Sequence, residues 1–345
     1  MQRRTEHLPR IRDVAKAAGV STATVSRALT VPDKLRHDTK ARVLDAVRRL
    51  GYTPNAAARN LRVGTSKMVL VVIPGRGAPP FFSEVLHGID TELSADGYTM
   101  IMGTLDGSPE KARRVVDLVF ARHLDGVLVT SGHVPTIDGR SIADASVPLV
   151  SICAEIDAPG VPAVLVDDEA CAVAQADHLI GLGHRRLMYV AGPKGNYNEV
   201  ARYRGFLAAI ARAGLARKDV CRHQGDYLFA GGVAAGRRFL AMREQPTGIV
   251  CCNDEMAIGF MKTVAQAGVR IPADVSVVGF DGIELADFCE PTLTTIRQPR
   301  FDLGATAARL LVDALGRRGA PAPQRIVLAG ELIVRDSTAP PPKSA

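Results

Sequence analysis

IRDVAKAAGVSTATVSRAL, residues 11–29, is the stretch on which the reading of this chain turns. Val14, Ala15 and Ala18 recur at helical spacing, Gly19 supplies a turn, Ser21 can cap the next helix, and Val25, Ala28 and Leu29 restore an apolar stripe. Two short helices joined by a tight turn make a helix-turn-helix, whose second member can lie in the major groove of DNA. The face that this helix leaves to solvent carries Thr22, Ala23, Ser26 and Arg27. A third helical pattern runs from Thr39 to Leu50, with Val43, Ala46, Val47 and Leu50 on one face and Gly51 as its stop. Residues 1–54 therefore read as a three-helix headpiece.

Charge concentrates around this motif. Residues 1–65 hold 14 Lys and Arg against 5 Asp and Glu, a net of +9, so the other 280 residues carry −2 of the chain's total of +7. A basic end gathers phosphate and releases counterions on binding, which a diffuse excess does less well. Beyond Pro54 lies NAAARNLR, residues 55–62. Helices below ~12 residues are marginal in water. This one can fold where DNA and a second subunit supply contacts, and residues 55–67 read as a hinge helix and linker.

From Met68 the pattern changes to apolar strands alternating with amphipathic helices. One series has strands at 68–73, 99–102, 126–130 and 149–152, with helices near Phe82–Ala95, Glu110–Ala121 and Ile137–Ala143. A second has strands at 163–166, 187–191, 249–252 and 275–280, with helices near Cys171–Leu182, Glu199–Ala213, Ala230–Met242 and Asp254–Ala267. Continuous apolar strands between such helices predict parallel sheets covered on both faces. The expectation is an α/β core of two doubly wound parallel-sheet subdomains, 68–166 with 297–323 and 167–296 with 324–336, and a disordered Pro-rich tail at 337–345. Ligands of such sheets bind at the carboxyl ends of strands, here between the subdomains.

Composition narrows the function classes. There is no run of ~18 apolar residues, as a membrane span needs, and MQRRTEHLPRIRD is too polar for a leader. A cytoplasmic protein without a membrane partner is expected. Cys153, Cys171, Cys221, Cys251, Cys252 and Cys289 lack metal-ligand spacing and read as buried free thiols. Neither a metal nor a cofactor is called for. GRGAPP, residues 75–80, fails the dinucleotide pattern because Pro80 stands where the last glycine belongs, and it reads as a loop over the cleft. His184 in LGHRR reads as structural.

Taken with PFFSEVLHGI (80–89), GHRRLMYVAGP (183–193), NDEMAIGF (253–260), IPADVSVVGFDGIELADF (271–288) and PTLTTIRQPRFDLG (291–304), the headpiece and NAAARNL segment resemble the lactose-repressor (LacI/GalR) family of bacterial regulators over about residues 10–336. The resemblance implies a periplasmic-binding-protein-like core and a homodimer that represses by holding a palindromic operator. It implies base contacts from Thr22, Ala23 and Arg27. Asn55, Arg59 and Leu61 fall on the hinge, with Leu61 wedged into the minor groove. Phe81, Phe82, Asp167, Arg202, Tyr227, Asn253 and Asp281 fall on effector positions. Their chemistry suits a nucleoside, with a sugar as the alternative: aromatic faces stack on a ring, carboxylate and amide take up hydroxyls, and Arg202 offers a planar donor fork. The resemblance also admits a second transcription factor as partner. One departure is Arg36, which stands where a capping Ser is usual at the start of the third helix. A solute-binding protein shares the two-lobed core, and the basic headpiece argues against it.

Overall fold

The computed structural model describes residues 9–30, 34–53, 65–75, 79–105, 107–121, 123–216, 220–316 and 324–342. The chain forms two compact units, Met1–Ser66 and Lys67–Ala345. In the first, α1 (Ile11–Ala18), α2 (Thr22–Thr30) and α3 (His37–Leu50) close around Val14, Ala15, Ala18, Val25, Ala28, Val43 and Ala46. Asp13 accepts a hydrogen bond from the Arg10 amide at 2.7 Å, which also places an anion at the positive end of α1. Gly19 ends that helix at φ +63°, a conformation that costs glycine little. The Arg42 guanidinium then reaches back from α3 to donate to the Ala18 carbonyl at 2.6 Å. Ser21 caps α2 by accepting from the Thr24 amide at 3.1 Å. Arg36 occupies the cap position of α3 with no side-chain hydrogen bond. Residues 54–64, with most of the expected hinge, lie outside the described residues.

Among its described residues the second unit holds two six-stranded sheets, one in each lobe. Lobe 1 begins with β1 (Met68–Pro74), α4 (Pro80–Ala95), β2 (Thr99–Leu105), α5 (Pro109–Phe120) and β3 (Gly126–Val129). A small hairpin of β4 (Thr136–Ile137) and β5 (Arg140–Ser141) precedes β6 (Leu149–Ile152) and β7 (Ala163–Val166). Lobe 2 runs through α6 (Asp168–Gly181), β8 (Leu187–Ala191), α7 (Tyr197–Arg212), β9 (Val220–Gln224) and α8 (Phe229–Leu240). It continues through β10 (Gly248–Cys251), α9 (Asp254–Gln266), β11 (Ser276–Asp281), α10 (Leu285–Phe288) and β12 (Thr294–Arg297). The chain returns to lobe 1 as α11 (Arg300–Gly316) and β13 (Arg325–Leu328), then crosses once more to β14 (Glu331–Ile333). The sheet orders are β13-β7-β6-β3-β1-β2, all parallel, and β14-β12-β11-β10-β8-β9, in which β14 is antiparallel.

Burial explains why the strands read as unbroken apolar runs. Val69, Val71 and Ile73 face one apolar cluster while Leu70 and Val72 face another, so β1 is covered on both sides. On one of those sides α4 and α11 cross closely. A Cβ on Gly88 would strike the Phe301 carbonyl, and one on Gly304 the Val85 carbonyl. The same cluster takes in Cys171, Phe280 and Ile296 from lobe 2, so the two lobes share apolar packing where the three crossings run.

Four expectations need correction. Ala163–Val166, grouped with the second series of strands although within the 68–166 bounds of the first subdomain, pairs with β6 in lobe 1. Arg325–Leu328 pairs with β7, so residues 324–328 belong to lobe 1 rather than to the second subdomain. Ile137–Ala143 is a hairpin leading into a single 3₁₀ turn rather than a helix, because Asp138 and Gly139 both take positive φ (+52° and +75°), the requirement of a two-residue turn. The tail from 337 to 342 is docked: Ser337 is fully buried, donates to the Val277 carbonyl and accepts from the Thr294 amide. Strand β9 is an addition, its largely polar sequence VCRHQ lying at the sheet edge where no apolar run is demanded.

Candidate functional site

Two sites emerge, one in each unit. On α2, Val25 and Ala28 are buried, which turns Thr22, Ala23 and Arg27 outward and leaves Ser26 half-buried. These four are spaced i, i+1, i+4 and i+5, and so share a single helix face. Asn55, Arg59 and Leu61 lie outside the described residues.

The other site is built on Arg202 of α7, which is 5% exposed. Its Nε donates to Asp168 Oδ1 at 2.7 Å and its Nη1 to the Cys252 carbonyl at 2.6 Å. The guanidinium lies 3.7 Å from the centroid of the Phe280 ring, and Nη1 stands 3.6 Å from Asp281 Oδ1. Asp168 follows β7, Cys252 follows β10, and Phe280–Asp281 end β11. Three strand ends, one from the lobe 1 sheet and two from the lobe 2 sheet, therefore converge on one cation, at the carboxyl ends of strands where ligands bind. Burial works against the charge on Arg202, but Asp168 and Asp281 hold its pKa well above the ordinary value.

Asp281 is fixed in a strained conformation, φ +123°, and accepts from Gln298 Nε2 at 2.8 Å. Burial raises its pKa against the pull of Arg202, Gln298 and Arg300. Behind it Asp254 is raised too, by burial and by the charge of Asp281, although Thr295 Oγ1 (2.6 Å) and the Ile283 amide (2.9 Å) both donate to it. Glu255 is pushed up to about 7, by burial first and then by Asp281 and Asp226.

The remaining expected residues fall into place unequally. Asn253 spends its amide on structure, accepting from the Met256 amide at 3.1 Å as the cap of α9 and donating to the Tyr227 carbonyl at 2.9 Å. Tyr227, at φ +67°, donates through Oη to Asn196 Oδ1 at 3.2 Å, and its ring fills the space that a Cβ on Gly192 would need. Phe82 is buried in the lobe 1 core, while Phe81 is half-buried and meets it edge-on at 5.1 Å. Asp167 is exposed and accepts from the Ala170 amide at 3.0 Å as the cap of α6. Of the two adjacent acids, Asp168 is the one that faces Arg202. The sequence marked Asp167 and not Asp168, because cap and first helical position point in different directions and the dipeptide does not say which of them faces Arg202.

Sequence reasoning also passed over Asn198, whose Nδ2 donates to Asp168 Oδ2 at 2.8 Å and to the Cys153 carbonyl at 2.6 Å, joining the two lobes. Gln175 was missed likewise; buried in α6, it donates to the Cys251 and Gly279 carbonyls at 2.8 and 2.7 Å and so pins β10 to β11. His184, read as structural, bridges Thr247 Oγ1 and the Ala339 carbonyl, both at 2.9 Å. The six cysteines are free. Among the described residues no group of three or more His, Cys, Asp or Glu could hold a metal ion, and no helix is long and apolar enough to cross a membrane.

A three-helix DNA-reading unit followed by a two-lobed core with a polar cleft defines the class of ligand-binding transcription regulators. The chain belongs to the lacI family of bacterial regulatory proteins: residues 10–55 match that family, and residues 176–338 match a periplasmic binding protein-like domain. It is 34% identical over 330 residues to the HTH-type transcriptional repressor CytR of Escherichia coli (strain K12), covering 95% of this chain and 96% of that one. Among solved structures, the transcriptional regulator CelR–cellobiose complex matches at 30% identity and a TM-score of 0.72 over 95% of this chain and 99% of that one. The lac repressor dimer bound to operator and the anti-inducer ONPF matches at 25% identity and a TM-score of 0.82 over 96% of this chain and all of that one. The protein is a DNA-binding transcriptional repressor with an effector-binding core, and the named relatives are regulators rather than enzymes.

Proposed function

We propose that this repressor acts in the cytoplasm as a homodimer on a palindromic operator, and that a nucleoside bound between its lobes sets its operator affinity. The observation that carries the proposal is Arg202, buried between Asp168, the Cys252 carbonyl and the Phe280 ring with Asp281 beside it. A guanidinium held this way presents donors at a fixed angle, and a neighbouring carboxylate accepts hydroxyl protons, as a ribose requires. Phe81 and Tyr227 supply ring faces for a base. The full-length likeness to CytR supports a nucleoside over the sugar alternative.

In this reading Thr22, Ala23, Ser26 and Arg27 meet base edges, and a bidentate Arg27–guanine contact discriminates by ~1–3 kcal/mol. Asn55, Arg59 and Leu61 contribute hinge contacts to the minor groove. Phe288, which is 77% exposed, and Leu285 one turn before it offer apolar surface for a second copy. The test is a thermal-shift screen of nucleosides, bases and sugars, followed by operator titration with each hit. A ligand that binds the native state raises its melting point by mass action. Asp281→Ala should abolish that shift while operator binding persists. A shift with sugars alone would replace the nucleoside by a sugar.

A further inference from the structure

At one rim of the cleft the two lobes touch through Tyr197, Glu155 and Arg325, none of which bonds to Arg202. Tyr197 opens α7 in lobe 2, and its Oη donates to Glu155 Oε2 at 3.1 Å across the gap. Glu155 lies in lobe 1, three residues past β6, and is held in place by Arg325 Nε of β13 at 2.6 Å. The next residue of α7, Asn198, donates to the Cys153 carbonyl of lobe 1 at 2.6 Å. That carbonyl is aimed by a residue at φ +66°, an uncommon conformation for a side chain other than glycine. Close approach at this rim also depends on Gly132, which follows β3: a Cβ there would sit 3.0 Å from Tyr197 Cβ.

We propose that Tyr197, Glu155 and Arg325 form a latch that holds the lobes closed, with Gly132 as the seat that lets it shut. The ion pair behind it is half in water, with side-chain exposures of 54% for Arg325 and 41% for Glu155. Such bonds are individually weak, which suits a contact that must open for a ligand and close again. A weaker latch lowers the closed population, and with it the apparent affinity of any ligand that binds the closed state. The inference concerns the resting balance between the lobes, so it stands whatever the effector is.

The test measures amide hydrogen exchange in the full-length protein without ligand. Tyr197→Phe removes the donor and keeps the ring; Glu155→Gln weakens the hold of Arg325; Gly132→Ala wedges the seat without removing a polar group. Each should raise exchange about three- to tenfold in residues 129–134 and 194–200, the effect of losing one partly exposed hydrogen bond. Exchange in α9 and in the headpiece should be unchanged, and small-angle scattering should show a larger radius of gyration. Unchanged exchange at both rim segments in Tyr197→Phe and Glu155→Gln would overturn the latch. So would a uniform rise across the core, which reports general destabilisation.

Discussion

Asp168 and Asp167 are neighbours, and replacing each by Ala should give sharply unequal results. Asp168 takes Arg202 Nε at 2.7 Å on one oxygen and Asn198 Nδ2 at 2.8 Å on the other. It is 5% exposed. Removing one partner of a buried ion pair costs ~3–5 kcal/mol, because the other charge stays buried. Arg202 keeps the Cys252 carbonyl, the Phe280 ring and Asp281 at 3.6 Å, so Asp168→Ala belongs at the lower end, about 3 kcal/mol. In a lobe of this size that corresponds to a fall in melting temperature of roughly 6–12 °C. Asp168→Asn should be milder, since its amide oxygen can still accept from Arg202, though its NH₂ then faces the donor of Asn198. Asp167→Ala forfeits one exposed helix cap, about 1 kcal/mol, and leaves the cleft intact. The assay is denaturant unfolding of the purified protein with melting as a second probe, followed by titration of whichever nucleoside the screen identifies. A loss below 1 kcal/mol for Asp168→Ala with ligand affinity unchanged would refute the argument that this acid holds Arg202.

Three further predictions follow from other parts of the molecule. Arg27→Ala should abolish preference for operator over random duplex in gel retardation while the ligand-induced melting shift is retained; loss of both would assign Arg27 to folding instead. Deleting residues 336–345 removes Ser337 from its bonds to Val277 and Thr294 and frees His184 from the Ala339 carbonyl, so the core should melt several degrees lower, and an unchanged melting point would mean that the docked tail contributes nothing. Stability should also fall between pH 6 and pH 8. Asp254, Asp281 and Glu255 have raised folded pKa values, so the stability they add is present at acid pH and lost as pH rises through about 7 for Glu255. His178, His184 and His223 are lowered, chiefly by burial, and work the other way, withdrawing stability as pH falls below about 6.5. The carboxylates titrate at about 7 to 8, above the range in which the histidines act, so they decide the interval, and a denaturation midpoint that rises toward pH 8 would contradict the burial of the acids.

The sequence by itself determined the local elements and their order. Gly19, Ser21 and the stripe of Val14, Val25 and Ala28 specify the helix-turn-helix, because caps, turns and periodic burial are properties of neighbours along the chain. Unbroken runs such as MVLVVI likewise announce strands covered on both faces. What the tertiary structure decided was which elements meet. Arg325–Leu328 and Glu331–Ile333 are separated by two residues yet join different sheets, and β9, with Arg222, His223 and Gln224 among its five residues, pairs at an edge without an apolar run to announce it. In the cleft, Arg202 and Asp281 could be marked in advance, whereas Asp168, Asn198 and Gln298 could not. Their roles depend on distances of 2.7 and 2.8 Å between residues 17 to 34 positions apart. A chain records such proximity only after three crossings between two lobes have brought the strand ends together.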